Sequence, residues 1–142
     1  MPDTTFGLIL NSLRSGLPVL LLQFATTLVL LGVGVACYMA ITPFNERKLV
    51  KDGNAAAGIV LGGTIVALAI PLAATLATSA AELDILLWGV VALILQLLTF
   101  AVATALIRGL RSMIEAGNVE AALTLVGIQI AVALLNAGAM AG

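Results

Sequence analysis

The charged side chains of this sequence are gathered into a few clumps, and the stretches between the clumps hold none. No Asp, Glu, Lys or Arg stands between Arg14 and Glu46, between Asp52 and Glu82, between Asp84 and Arg108, or from Ala121 to Gly142. Each gap is at least 22 residues of mostly Leu, Val, Ile, Ala and Gly. About 20 apolar residues rising about 1.5 Å each cross a hydrocarbon core of roughly 30 Å. A backbone in lipid finds no water to bond, so such a segment must be helical. A β-barrel would instead show alternating segments about 10 residues long, and the sequence contains none. The pattern predicts an all-α polytopic membrane protein with four transmembrane helices, at about 19–41, 55–79, 85–107 and 119–140.

Composition excludes the other classes. The 142 residues are 62% hydrophobic and 9% charged, with a mean hydropathy of +1.22, where soluble domains carry about 25% charged residues. That is too little charge to coat a soluble enzyme, and far too apolar for a disordered tail. Six Lys and Arg against seven Asp and Glu leave no basic face for nucleic acid. With no His and the single Cys37, a structural zinc site and an internal disulfide are excluded. No metal or other cofactor is expected.

The first apolar run is longer than the roughly 7–15 residues of a signal-peptide core, so it reads as a span. Cys37, after Gly34-Val35-Ala36, reads as a small apolar packing residue rather than a lipidation site. The loop after the first span carries Arg47, Lys48 and Lys51; the loop after the third carries Arg108 and Arg111; the loop between them carries Glu82 and Asp84. By the positive-inside bias the two basic loops are cytoplasmic and both termini extracytoplasmic, with Arg14 the one dissenting base. Residues 1–18 form an N-terminal extracytoplasmic arm. Within it, 4–17 read either as a short amphipathic helix, with Phe6, Ile9, Leu10, Leu13 and Leu17 on its apolar side, or as a loosely ordered segment.

A shift of 64 residues lays Arg47 through Ala57 over Arg111 through Ala121, with Arg, Gly-Asn and Ala recurring in register. Leu61, Gly63, Ala67, Ala69 and Ala73 then match Leu125, Gly127, Ala131, Ala133 and Ala137. This predicts two tandem two-helix repeats, 19–79 and 80–142. They run the same way, about a pseudo-two-fold axis along the membrane normal rather than as inverted repeats. Asn54 and Asn118 are placed to N-cap the second and fourth spans, and Gly53 and Gly117 to allow the reversal before each cap. Glu120 stands beside the positive helix end. A paired entrance for an anion is the functional alternative.

Polar and small residues recur at helical spacing inside the spans: Gln23, Thr27, Gly34 and Cys37 in the first; Gly58, Gly62 and Gly63, with Pro71, in the second; Gly89, Gln96 and Thr99 in the third; Gln129 and Asn136 in the fourth. Small residues let helices approach, and buried amides bond across them. Gln96, Thr99, Gln129 and Asn136 are therefore candidates for an intramembrane polar seam. They read either as interhelical hydrogen bonds or as a constriction in a narrow conduit. No acid or base lies inside a span, which argues against a fixed proton relay there.

Asn45-Glu46, Gly53-Asn54-Ala55-Ala56-Ala57 with Gly62, Trp88-Gly89, Gln96, Glu115-Ala116-Gly117-Asn118, and Asn136-Ala137 near Met140 together resemble a family of small bacterial inner-membrane proteins, domain of unknown function 350 (the YjfL-type proteins). The resemblance runs from about residue 20 to the end. It implies a four-span protein of tandem two-helix units in the bacterial inner membrane, and it supplies no reaction, ligand or catalytic residue. No enzyme is expected, since the spans offer no nucleophile with a base. Two functions compete. One is a self-assembling membrane component, a homo-oligomer in the lipid bilayer that docks a cytoplasmic protein partner through Arg47, Lys48, Lys51, Arg108 and Arg111. The other is an oligomeric channel or facilitator for a small solute or ion, with Gln96 and Gln129 at its narrowest point.

Overall fold

The computed structural model describes residues 4–142, so residues 1–3 of the expected arm lie outside the described residues. Four long helices, α1 (Thr5–Ile41), α3 (Ala55–Thr78), α4 (Glu82–Leu106) and α6 (Val119–Ala141), are each long and apolar enough to cross a membrane. Two short helices, α2 (Glu46–Lys51) and α5 (Leu110–Glu115), occupy the basic connections. The chain is thus an all-α, four-span membrane protein, with no strand among the described residues.

Helix α1 departs from the expected boundaries. Residues 5–18 are not a separate arm but the first turns of one 37-residue helix, capped by the Thr4 hydroxyl, which accepts from the Gly7 N–H. At about 1.5 Å per residue that helix is roughly 55 Å long, well beyond a bilayer core. Only its second half packs: Leu30, Gly34 and Tyr38, one turn apart, are its buried residues. Cys37 faces outward instead of packing.

Helix α3 lies at the centre, touching each of the other long helices and packing most extensively on α6. Small residues set the spacing. Gly34 of α1 receives the Leu93 side chain of α4, and Gly89 of α4 receives Leu30 of α1; a Cβ on either glycine would come within 2.6 Å of the leucine. Gly63 of α3 likewise admits Val126 of α6, whose γ carbons a Cβ there would strike. Gly58 and Gly62, expected to pack with it, have no atom within 4 Å of where a Cβ would stand. In a helix, adjacent positions point about 100° apart, so one of this trio faces the bundle and the other two face out. The interior is closed: Ala56, Ala57, Val60, Ala67, Leu125 and Ala133 are wholly buried.

Candidate functional site

The two basic connections fold alike. Each short helix ends in a left-handed glycine, Gly53 (φ 82°) or Gly117 (φ 79°). Gly53 donates to the Val50 carbonyl and Asn54 to that of Leu49; Gly117 donates to Ile114 and Asn118 to Met113. Asn54 and Asn118 then cap α3 and α6, their Oδ1 atoms accepting from Ala57 and Ala121 at 2.9 Å. All four residues of the repeated Gly-Asn pairs thus sit where capping requires. Asn54 does more than its counterpart: its Nδ2 donates to the Ile114 and Glu115 carbonyls of α5 at 2.8 and 3.2 Å, tying the two connections together. Asn118→Ala is expected to cost about 1 kcal/mol, and Asn54→Ala about 2 kcal/mol, because the Ile114 and Glu115 carbonyls lose their donor too. Thermal unfolding in detergent reads the order; equal losses would leave the cross-tie without weight.

Beside this tie sits Glu46, which the sequence singles out only through the family resemblance. Glu46, in the first turn of α2, is 3% exposed. The Tyr38 hydroxyl of α1 donates to its Oε1, while Oε2 is buried without a partner. The Tyr38 ring packs edge-on against Phe100 of α4, centroids 4.7 Å apart. Thr42 and Thr64 bring their hydroxyls beside the same phenol. Burial disfavours the charged carboxylate and pushes Glu46 up to about 7, with the Tyr38 hydrogen bond opposing. The Asn45 side chain caps α2 by accepting from the Lys48 N–H at 3.1 Å, which fixes the turn that folds Glu46 inward. The one sequence feature that could have pointed here is Tyr38, the chain's single tyrosine, eight residues before the acid.

Outside Glu46 a pocket of about 420 Å³ opens at the basic end, lined among others by Thr42, Phe44, Asn45, Arg47 and Arg111. Arg111 also pairs with Glu115 at 3.0 Å on the surface. Lys48, Lys51 and Arg108 lie at the same end and outside this pocket.

Deeper in, Thr64 of α3, Gln96 of α4 and Gln129 of α6 stand nine or ten residues from the basic ends of their helices, hence at one level. Gln96 Nε2 donates to the Gln129 carbonyl at 2.7 Å. One level further, Asn136 Nδ2 donates to the Ala92 carbonyl at 3.3 Å. Thr99 does not join them: half-buried, its hydroxyl bonds Leu95 of its own helix at 2.9 Å. The polar seam is therefore Gln96, Gln129 and Asn136, with Thr64 added. Among the described residues, the buried side-chain polar atoms lacking a partner are Glu46 Oε2, Thr64 Oγ1, Gln96 Oε1 and Gln129 Nε2. Asn136 closes the floor of a second cavity, about 530 Å³, which opens at the other end between Thr78, Ser79, Asp84 and Trp88. There Thr26 of α1 donates to Glu82 of α4.

A bundle of four helices, each long and apolar enough to cross a membrane, with buried polar groups at more than one level between its ends, defines a polytopic helical membrane protein. No cluster of three metal-ligating side chains occurs among the described residues. The sequence profile of the Domain of Unknown Function DUF350 matches residues 12–140, and the chain belongs to that family. It is 33% identical, over 103 residues, to the UPF0719 inner membrane protein YjfL of Escherichia coli strain K12, covering 72% of this chain and 78% of the relative. The YjfL of Escherichia coli O157:H7 matches to the same extent. No solved structure matches the chain significantly.

Proposed function

We propose that this protein is a self-assembling component of the inner membrane, the compartment named for its YjfL relatives. On this reading the basic loops lie in the cytoplasm and both termini lie outside. The observation that carries it is the placement of Gly58 and Gly62. Both sit on α3, the helix every other span packs on, yet they face away from the bundle with open space before them. A flat backbone face of this kind lets a second helix approach closely, and closed symmetric pairs are the common way membrane and soluble chains self-associate. Arg47, Lys48, Lys51, Arg108 and Arg111, gathered at one end, then present a basic surface to a cytoplasmic partner.

The two halves read as one two-helix unit used twice. The shared geometry of the connections supports this, as does the packing of α1 on α3 repeated by α4 on α6. The contact of α3 with α4 has no strong counterpart between α1 and α6, so the copies have diverged in how they close.

Cysteine cross-linking in native membranes tests the assembly. With Cys37→Ser as background, Gly62→Cys is expected to give a disulfide-linked dimer. Leu135→Cys, on an exposed face of α6, is expected to stay monomeric. Monomer alone at both positions refutes the interface.

A second reading is favoured by the buried polar line. Glu46, Thr64, Gln96, Gln129 and Asn136 are buried at levels between the two openings, and four of their polar atoms lack partners, the kind of groups that water satisfies. Passage of water or a small ion along this line makes the protein a facilitator. Liposomes holding wild type would then dissipate an imposed gradient, and Gln96→Leu with Gln129→Leu would slow it; an inactive wild type dismisses this reading.

A further inference from the structure

We propose that the pocket at the basic end is a binding site for the phosphate of a membrane phospholipid, gripped by Arg47 and Arg111. The two arginines stand 64 residues apart, at matching positions on the two short helices α2 and α5, and both reach the same 420 Å³ space. Two arginines lining one space repel each other, an anion between them relieves that repulsion, and their planar forks match phosphate oxygens bidentately. Arg47 makes no ion pair among the described residues. Arg111 spends only Nε on Glu115, which leaves four of its roughly five N–H donors free. That pair is exposed on both sides and so is weakly held.

The one acid in the lining does not oppose an anion. Glu46 gives its Oε1 to the Tyr38 hydroxyl and buries its Oε2, so one oxygen is engaged and the other is shut off from the open pocket. The Thr42 hydroxyl is committed to the Tyr38 carbonyl at 2.7 Å. The arginines therefore supply the charge for the anion.

The rest of the lining separates a lipid from a free phosphate. Met39, Pro43 and Phe44 form an apolar wall that continues from the end of α1, where the chain leaves the hydrocarbon. A headgroup phosphate at the level of α2 and α5 would lay its glycerol and acyl carbons on that wall; inorganic phosphate has nothing to place there. Basic pockets at the ends of membrane helices hold headgroups in this manner. The site requires only that α1 and α4 span the bilayer, and it stands whether or not the protein self-associates.

Native mass spectrometry of the intact protein released from detergent tests the assignment, with added phosphatidylglycerol as the probe. Wild type is expected to retain one lipid per chain, and Arg47→Gln with Arg111→Gln to weaken retention roughly tenfold. Arg108→Gln, which removes a base at the same end but outside the pocket, is expected to bind as wild type. Unchanged unfolding temperatures show that all variants are folded. Equal retention by the double variant, or an equal loss in Arg108→Gln, overturns the site. Displacement of the lipid by inorganic phosphate overturns the lipid and assigns the pocket to a free phosphate; persistence of the lipid supports it.

Discussion

Gly63→Leu is expected to lower the stability of the detergent-solubilised protein by about 3 kcal/mol, the upper part of the range for overfilling a packed contact. The reason is local. Val126 already fills the space in front of Gly63, so that even a methyl group would strike both of its γ carbons. These atoms belong to a branched side chain on a neighbouring span, which has few rotamers with which to retreat. The pair α3–α6 is the most extensive contact in the bundle, so prying it apart affects the whole core. Gly62→Leu supplies the comparison. It adds the same side chain one position away, into open space, and replaces a poor helix former by a good one; its unfolding temperature should match or exceed wild type. If self-assembly runs through this face, Gly62→Leu also blocks the disulfide-linked dimer of a Gly58→Cys variant, whose thiol stands on the same open face. Equal destabilisation by the two substitutions would show that Gly63 is not a contact point.

A second large effect is expected from pH. A carboxyl whose pKa is higher in the fold than in the unfolded chain favours the fold while it holds its proton. With Glu46 raised from about 4.5 to about 7, its contribution is complete below about pH 4.5, declines as pH rises toward 7, and is constant beyond. The span of that decline corresponds to on the order of 3 kcal/mol. Wild type should therefore unfold at progressively lower temperature between about pH 5 and about pH 7. Glu46→Gln, neutral at every pH and still able to accept from Tyr38, should remove the slope. Tyr38→Phe removes the hydrogen bond that opposes the upward shift, so the decline should persist and extend to higher pH, and about 1–3 kcal/mol should be lost because Oε1 then joins Oε2 without a partner. A wild-type profile as flat as that of Glu46→Gln would mean that the carboxyl is not buried in the folded protein.

What was legible in the sequence followed from the cost of charge and of bare backbone in hydrocarbon. The spacing of the charges located all four spans, and the cost of unpaired N–H groups at helix starts located the caps at Asn54 and Asn118. Those forces act on a chain segment by itself. Glu46 was not legible because its environment is made by distant residues: Tyr38 from α1, Phe100 from α4 and Thr64 from α3 meet only after folding, and an acid in a loop otherwise rests in water. The glycines show the same limit. Gly58, Gly62 and Gly63 are alike as residues, and only the rotation of α3 against α6 decides which of them admits Val126. Thr99 satisfied its hydroxyl within its own helix, a local choice open to any threonine. The start of α1 differs from the expected residue 19 because the span was bounded by its charge-free, apolar stretch, whereas a helix passes through polar positions such as Arg14 without interruption.

The inequality of the spans sets how this molecule responds to its surroundings. Three helices of 23–25 residues suit an ordinary bilayer, while α1, at 37 residues, is half as long again. In a thin membrane α1 alone must lean over, or draw lipid up around Phe6, Ile9 and Leu13; in a thick one it stands upright and its neighbours are the short partners. Bilayer thickness therefore acts on the angle between α1 and the α3–α4 pair, and through Tyr38 that lever ends at Glu46.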